Sequence, residues 1–145
     1  MKNIFSVLLI VFVLLLLSGC EEEMIVRNGN GNLIIEYTNE PQALMNHKYY
    51  IRIYDNKEIE YGLEDDIKKT TISQEQYDEI LKMAFSKKIL SLDGKPLYDP
   101  NVLDGYYTYI TIYNENGSSV RIGGSNPNNK SFNKLEHLIN ECVKE

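Results

Sequence analysis

The sequence predicts an α+β domain: two ββα units forming a four- or five-stranded antiparallel sheet with two helices packed on one face. Three observations lead there. Tyr50-Ile51-Arg52-Ile53-Tyr54-Asp55 and Tyr109-Ile110-Thr111-Ile112-Tyr113-Asn114 are similar, β-branched and aromatic, and alternate with a period of two. Each is followed by a turn and a short return strand. Each hairpin is followed by a break and then an apolar stripe at three- and four-residue steps. One such unit cannot cover its own sheet, whereas two side by side can.

In chain order, Leu33-Ile34-Ile35-Glu36-Tyr37 reads as a strand that could add a fifth member to the sheet. Asn39–Asn46, with Pro41, is a loop. Tyr49–Tyr54, the turn Asp55-Asn56-Lys57 and Glu58–Tyr61 form a hairpin, with Ile51, Ile53, Ile59 and Tyr61 on one face. Gly62 is expected to end it, and Glu64-Asp65-Asp66 to open a polar connection. Ser73 and Gln76 have the spacing of a capping box, with Ile72 and Tyr77 at the staple positions. Tyr77, Ile80, Leu81, Ala84 and Phe85 make the first helical stripe, and Lys87 and Lys88 suit the negative end of that helix. Asp93–Gly105, with Pro96 and Pro100, is an irregular loop. Tyr106–Tyr113 and Ser119–Ile122 flank the turn Asn114–Gly117. Gly123–Pro127 breaks the chain before a second helix, whose stripe is Phe132, Leu135, Leu138, Ile139, Cys142 and Val143.

The N-terminus has a different character. Met1-Lys2-Asn3 is a short positive region, and Ile4–Leu17 is an apolar run broken only by Ser6. That run suits a signal-peptide core and falls short of the ~20 residues a spanning helix needs. It ends in Leu17-Ser18-Gly19-Cys20, followed by Glu21, Glu22 and Glu23. These residues resemble the lipobox of bacterial lipoproteins. The resemblance implies a thioether-linked diacylglycerol on Cys20, cleavage just before it, and attachment to the lipid bilayer. The residue types suit that chemistry: a thiol ionises near neutral pH, and small neighbours admit a peptidase. The expected organisation is a signal peptide at 1–19, a lipidated Cys20 with a flexible tether to residue 32, and one α+β domain over 33–145. The tether is acidic and then Asn/Gly-rich; its alternative is a Met24–Arg27 strand turned by Asn-Gly into Leu33–Thr38.

A formal net charge of −6 argues against nucleic acid as partner and against a polybasic clamp on anionic lipid. With Cys20 modified, Cys142 remains alone, so no intramolecular disulfide is expected. Lysine outnumbers arginine, present only as Arg27, Arg52 and Arg121, and Asn and Ile are abundant. This bias suggests a Gram-positive source, with the protein on the extracytoplasmic face of the cell membrane.

No reaction is written in the chain. Cys142 lies on an apolar stripe, and His47 and His137 are the two imidazoles. His-x-x-x-His and Gly-x-Ser-x-Gly are absent, so neither a zinc site nor a hydrolase elbow is expected. Asp93, Asp99 and Asp104, like Glu64-Asp65-Asp66, lack the spacing of a calcium loop. The expectation is a non-enzymatic binding module without metal or cofactor, whose partner is an envelope protein or glycan; the alternative is a small-ligand- or anion-binding lipoprotein, and an enzyme ranks last. Two features could serve it. Gly123-Gly124-Ser125, opening onto a helix, is a weak candidate anion site. Tyrosine is the other, with 11 against 4 Phe and no Trp. If the isoleucines face the helices, strand parity puts Tyr50, Arg52, Tyr54, Tyr107, Tyr109 and Tyr113 on the opposite face. Flat rings with polar tips suit protein interfaces and stacking on sugars.

Overall fold

In the computed structural model the described residues are 31–43, 47–102 and 104–144. The signal segment, Cys20 and the possible Met24–Arg27 strand lie outside them. In chain order the strands are β1 (Leu33–Pro41), β2 (Tyr49–Tyr54), β3 (Glu58–Leu63), β4 (Asp66–Thr71), β5 (Tyr106–Tyr113) and β6 (Ser119–Ser125). The helices are α1 (Gln74–Ala84), the short α2 (Lys87–Leu90) and α3 (Lys130–Glu141). All neighbouring strands are antiparallel, in the order β4-β3-β2-β1-β5-β6.

The α+β class and the antiparallel sheet match the sequence reading; the details differ. β1 is not an added margin but stands between the two hairpins, pairing with β2 on one side and β5 on the other. Its alternation explains this position. Ile35 and Tyr37 extend two apolar rows across the helix-facing side: Ile59–Ile53–Ile35–Ile112–Val120 and Tyr61–Ile51–Tyr37–Ile110–Ile122. Ile35, Ile51, Ile53, Ile59, Ile110, Ile112 and Ile122 are all buried, against Ile80, Ala84, Ile89, Phe132, Leu135 and Ile139 from the helices. At ~1.5–3 kcal/mol for each fully buried large side chain, this cluster is the main stabilising element of the fold.

The two ββα units do not lie side by side as copies. β2 and β5 are both antiparallel to β1 and therefore point the same way, yet β3 and β6 lie on their outward sides. A rotation that laid β5 on β2 with the isoleucines still inward would put β6 where β1 stands. The hairpins have opposite hands, so the sequence similarity of Tyr50–Asp55 and Tyr109–Asn114 does not extend to a repeated structural unit.

β4 is the sixth strand, drawn from the stretch read as a polar connection. Gly62 does not end β3; it takes a φ of +132° inside it and pairs with Ile67. Glu64-Asp65 then makes a two-residue hairpin turn. Every β4 residue is exposed, so no apolar alternation marks the strand, while Lys68 and Lys69 protect the sheet edge.

The helix starts follow their caps. Ser73 and Gln76 form the full capping box. The first helix stops at Ala84, and Ser86 caps α2, so Lys87 and Lys88 open a new turn instead of closing α1. Phe85, placed on the α1 stripe by spacing, is 40 % exposed. α3 begins at Lys130, where the Asn129 side chain accepts from the Ser131 and Phe132 N–H groups. Among the described residues no helix is long and apolar enough to cross a membrane.

Candidate functional site

With the helices of the described residues packed on the isoleucine side, the register defines the other face of the sheet. One row across all six strands reads Lys69–Glu60–Arg52–Glu36–Thr111–Arg121. Its charges alternate and pair along most of its length. Lys69 Nζ is 2.7 Å from Glu60 Oε1, and Arg52 Nε donates to Glu36 Oε1 at 2.9 Å. The Tyr54 hydroxyl donates to the other Glu60 oxygen at 2.8 Å. Burial alone would raise the Glu60 carboxyl; the Lys69 ammonium and the Tyr54 hydroxyl outweigh it and hold it below the usual range. Thr111 then breaks the alternation. Among the described residues Arg121 has no carboxylate within 4 Å.

The next row reads Ile67–Gly62–Tyr50–Thr38–Tyr109–Gly123. Both tyrosines stand opposite a glycine with positive φ, +132° at Gly62 and +138° at Gly123. Each is stacked under an arginine: Arg52 lies 4.5 Å from the Tyr50 ring centre and Arg121 4.1 Å from that of Tyr109.

The six residues assigned to the face therefore have different fates. Tyr50 is only 5 % exposed, with the Arg52 guanidinium over its ring, on a face that no described helix packs against. Arg52 and Tyr54 are engaged with Glu36 and Glu60. Tyr113 is half-buried, and burial, then the nearby Glu36 carboxylate, raises its hydroxyl pKa. Tyr107, at 45 % exposed, remains presentable, and Tyr109 is half-buried beneath the exposed Arg121. The usable surface is the β5–β6 half of the face.

Gly123-Gly124-Ser125 does not form a turn at a helix N-terminus. It is the end of β6, paired with Tyr109, Thr108 and Tyr107. The N–H groups that would have held an anion in that reading belong to α3, and two of them are taken by Asn129. Instead, the three residues floor a groove. A strap, Gly94–Asp99, runs along β6, with the Leu97 N–H donating to the Gly123 carbonyl at 3.1 Å and the Asp99 N–H to that of Ser125 at 3.4 Å. Gly124 is required for that approach, because a Cβ there would strike the Leu97 carbonyl oxygen. The Asp99 carboxylate anchors the strap, accepting from the Asn101 N–H at 2.9 Å and from Asn128 Nδ2 at 3.2 Å. Those hydrogen bonds, the Asn101 N–H first, hold its pKa below the usual range.

Between strap and sheet lies an open concavity of about 590 Å³, lined by Lys95, Leu97, Tyr98, Tyr109 and Arg121 over that floor. Among the described residues no carboxylate lines it. Lys95, Tyr98 and Arg121 were absent from the sequence-derived site. Parity against Ile122 puts Arg121 outward, so that signal was available; Lys95 and Tyr98 sit in a loop without periodicity.

The remaining reactive groups stay apart. Cys142 is half-buried, donates to the Leu138 carbonyl at 3.3 Å, and burial pushes its thiol up to about 11. His47 and His137 are exposed. Among the described residues no three His, Cys, Asp or Glu side chains come together as a metal cluster. No protein-family model matches the chain, and no curated protein aligns with it significantly.

Proposed function

We propose that the chain is a lipid-anchored module of the cell envelope that works by binding and not by catalysis. Acyl chains on Cys20 hold it to the bilayer, each buried methylene contributing ~0.8 kcal/mol, and the residues before Asn32, which is hydrogen-bonded to Asp55, act as a tether. The observation that supports binding is the half-face at β5–β6, where Tyr107, Tyr109 and Arg121 stand on the side of the sheet that the helices leave open. An envelope protein or glycan is the expected partner. The concavity beside Arg121 favours the second reading, a module for a small or anionic ligand.

The anchor is tested in a bacterium that processes lipoproteins. The wild-type chain is expected to incorporate labelled palmitate and to sediment with membranes. Cys20→Ser should take up no label and, once its leader is trimmed, stay in the supernatant. A trimmed Cys20→Ser chain that still sediments with vesicles would overturn the anchor.

A further inference from the structure

Resting on that reading, we infer that the groove between the Gly94–Asp99 strap and the outer face of β5–β6 binds an anionic sugar, a hydroxyl-rich ring carrying a carboxylate or phosphate. The charge argument comes from the row across the sheet. Lys69, Glu60, Arg52 and Glu36 neutralise one another in sequence, and neutral Thr111 then separates Arg121 from the nearest carboxylate in the row. Lys95 lines the same concavity from the strap, so two cationic residues border it, and among the described residues no acidic side chain does. An anion from outside supplies the partner that the described residues do not.

The geometry of Arg121 suits that role. Its Cζ lies 4.1 Å from the Tyr109 ring centre while the residue as a whole is exposed. A guanidinium held at an aromatic ring and open to solvent can pair in a bidentate way with carboxylate or phosphate oxygens. The sugar follows from the rest of the lining. Tyr98 is 62 % exposed, so a flat ring with a hydroxyl tip borders the groove. A protein partner would need roughly 800 Å² of matched surface on its own side, and the neighbouring β2–β3 half of the face is already self-paired.

The test is titration calorimetry on the full-length lipidated protein in detergent with four probes: tri-galacturonate, glucose 6-phosphate, neutral maltotriose and tri-glutamate. Tri-galacturonate, glucose 6-phosphate or both should bind, and which of them does separates a carboxylate-bearing from a phosphate-bearing sugar. Maltotriose should fail for lack of charge, and tri-glutamate should bind at least tenfold more weakly than the better sugar. Arg121→Gln and Lys95→Gln should each weaken binding about tenfold or more, and Tyr98→Ala several-fold. Lys95 and Tyr98 lie on the strap outside the sheet, so these variants keep the test decisive if Arg121→Gln alters folding. Failure of both anionic sugars to bind at 10 mM overturns the inference. So does equal binding of tri-glutamate with no effect of Tyr98→Ala, which would mark an acidic-peptide site. Neither result touches the anchor, which Cys20→Ser tests separately.

Discussion

The Tyr37 hydroxyl, at the centre of the sheet, donates to Glu136 Oε1 on α3 at 3.1 Å across 99 residues of chain. Asn39 Nδ2 donates to the same phenolic oxygen at 3.1 Å and to Thr108 Oγ1 at 3.3 Å. One polar chain thus joins β1, β5 and α3 at the edge of the apolar cluster. Burial dominates its protonation: the Tyr37 hydroxyl is pushed up to about 12, and the Glu136 carboxyl is raised despite the lowering effect of the Tyr37 hydrogen bond.

Glu136 should therefore weaken the fold at neutral pH. Its folded-state pKa lies above its unfolded value, so its stabilising contribution is complete below the unfolded pKa and is lost as pH rises through the folded one. Glu136→Gln keeps an acceptor for Tyr37 and removes the charge. Its melting temperature should exceed the wild type's at pH 7 and converge with it below about pH 4, in a series of thermal melts across that range. Tyr37→Phe should do the opposite, costing about 1–2 kcal/mol because Glu136 loses a donor and Asn39 an acceptor.

What was legible in the sequence follows from how strongly each element was driven by burial. The apolar alternation of Tyr49–Tyr54 and Tyr106–Tyr113 and the capping box at Ser73 read correctly because their residues face the core or satisfy helix donors. β4 was illegible because its residues are all exposed; its pairing with β3 is made by backbone, which leaves no pattern. On the outer face parity placed the tyrosines correctly, but it could not show that Arg52 would lie over Tyr50 and cover it. The groove depends on a strap whose register against β6 is set by Gly124 and a pair of backbone hydrogen bonds, none of which has periodicity.

Gly62 marks the place where that illegible hairpin is decided. Its φ is +132°, and a Cβ would collide with the Asp66 carbonyl oxygen across the β3–β4 turn. Gly62→Ala should cost about 1–3 kcal/mol for the strained backbone alone, lowering the melting temperature by about 4–8 °C per kcal/mol. Hydrogen exchange should locate the loss, with the amides of β3 and β4 unprotected before those of β1 and β5. Uniform loss of protection would mean that β4 is integral to the core and not an edge addition.

The Cys142 thiol gives a probe of the helix layer. With a pKa of about 11 in the folded state and about 8.5 when unfolded, its thiolate is scarcer in the fold by a factor on the order of 10² at pH 8. Alkylation in native buffer should accordingly be about that much slower than in denaturant. It should accelerate in parallel with any variant that loosens α3, such as Phe132→Ala, which removes a fully buried ring at a cost of about 3–5 kcal/mol.

The two halves of the outer face should separate stability from binding. Arg52 has a carboxylate partner and covers the Tyr50 ring, so Arg52→Ala strips both an ion pair and the lid of a buried side chain. It should cost on the order of 1 kcal/mol of stability, read as a lower melting temperature, and leave partner capture in native membranes unchanged. Tyr107→Ala combined with Tyr109→Ala removes an exposed ring and a half-buried one from the unpaired half. That double variant should stay within about 0.5 kcal/mol of wild-type stability and yet lose the crosslinks formed by the membrane-anchored protein. Both variants are measured by the same two assays, melting and crosslinking. If the tyrosine double variant crosslinks as wild type does while Arg52→Ala does not, the binding surface lies on the β2–β3 half, and the assignment made from exposure and charge pairing is reversed.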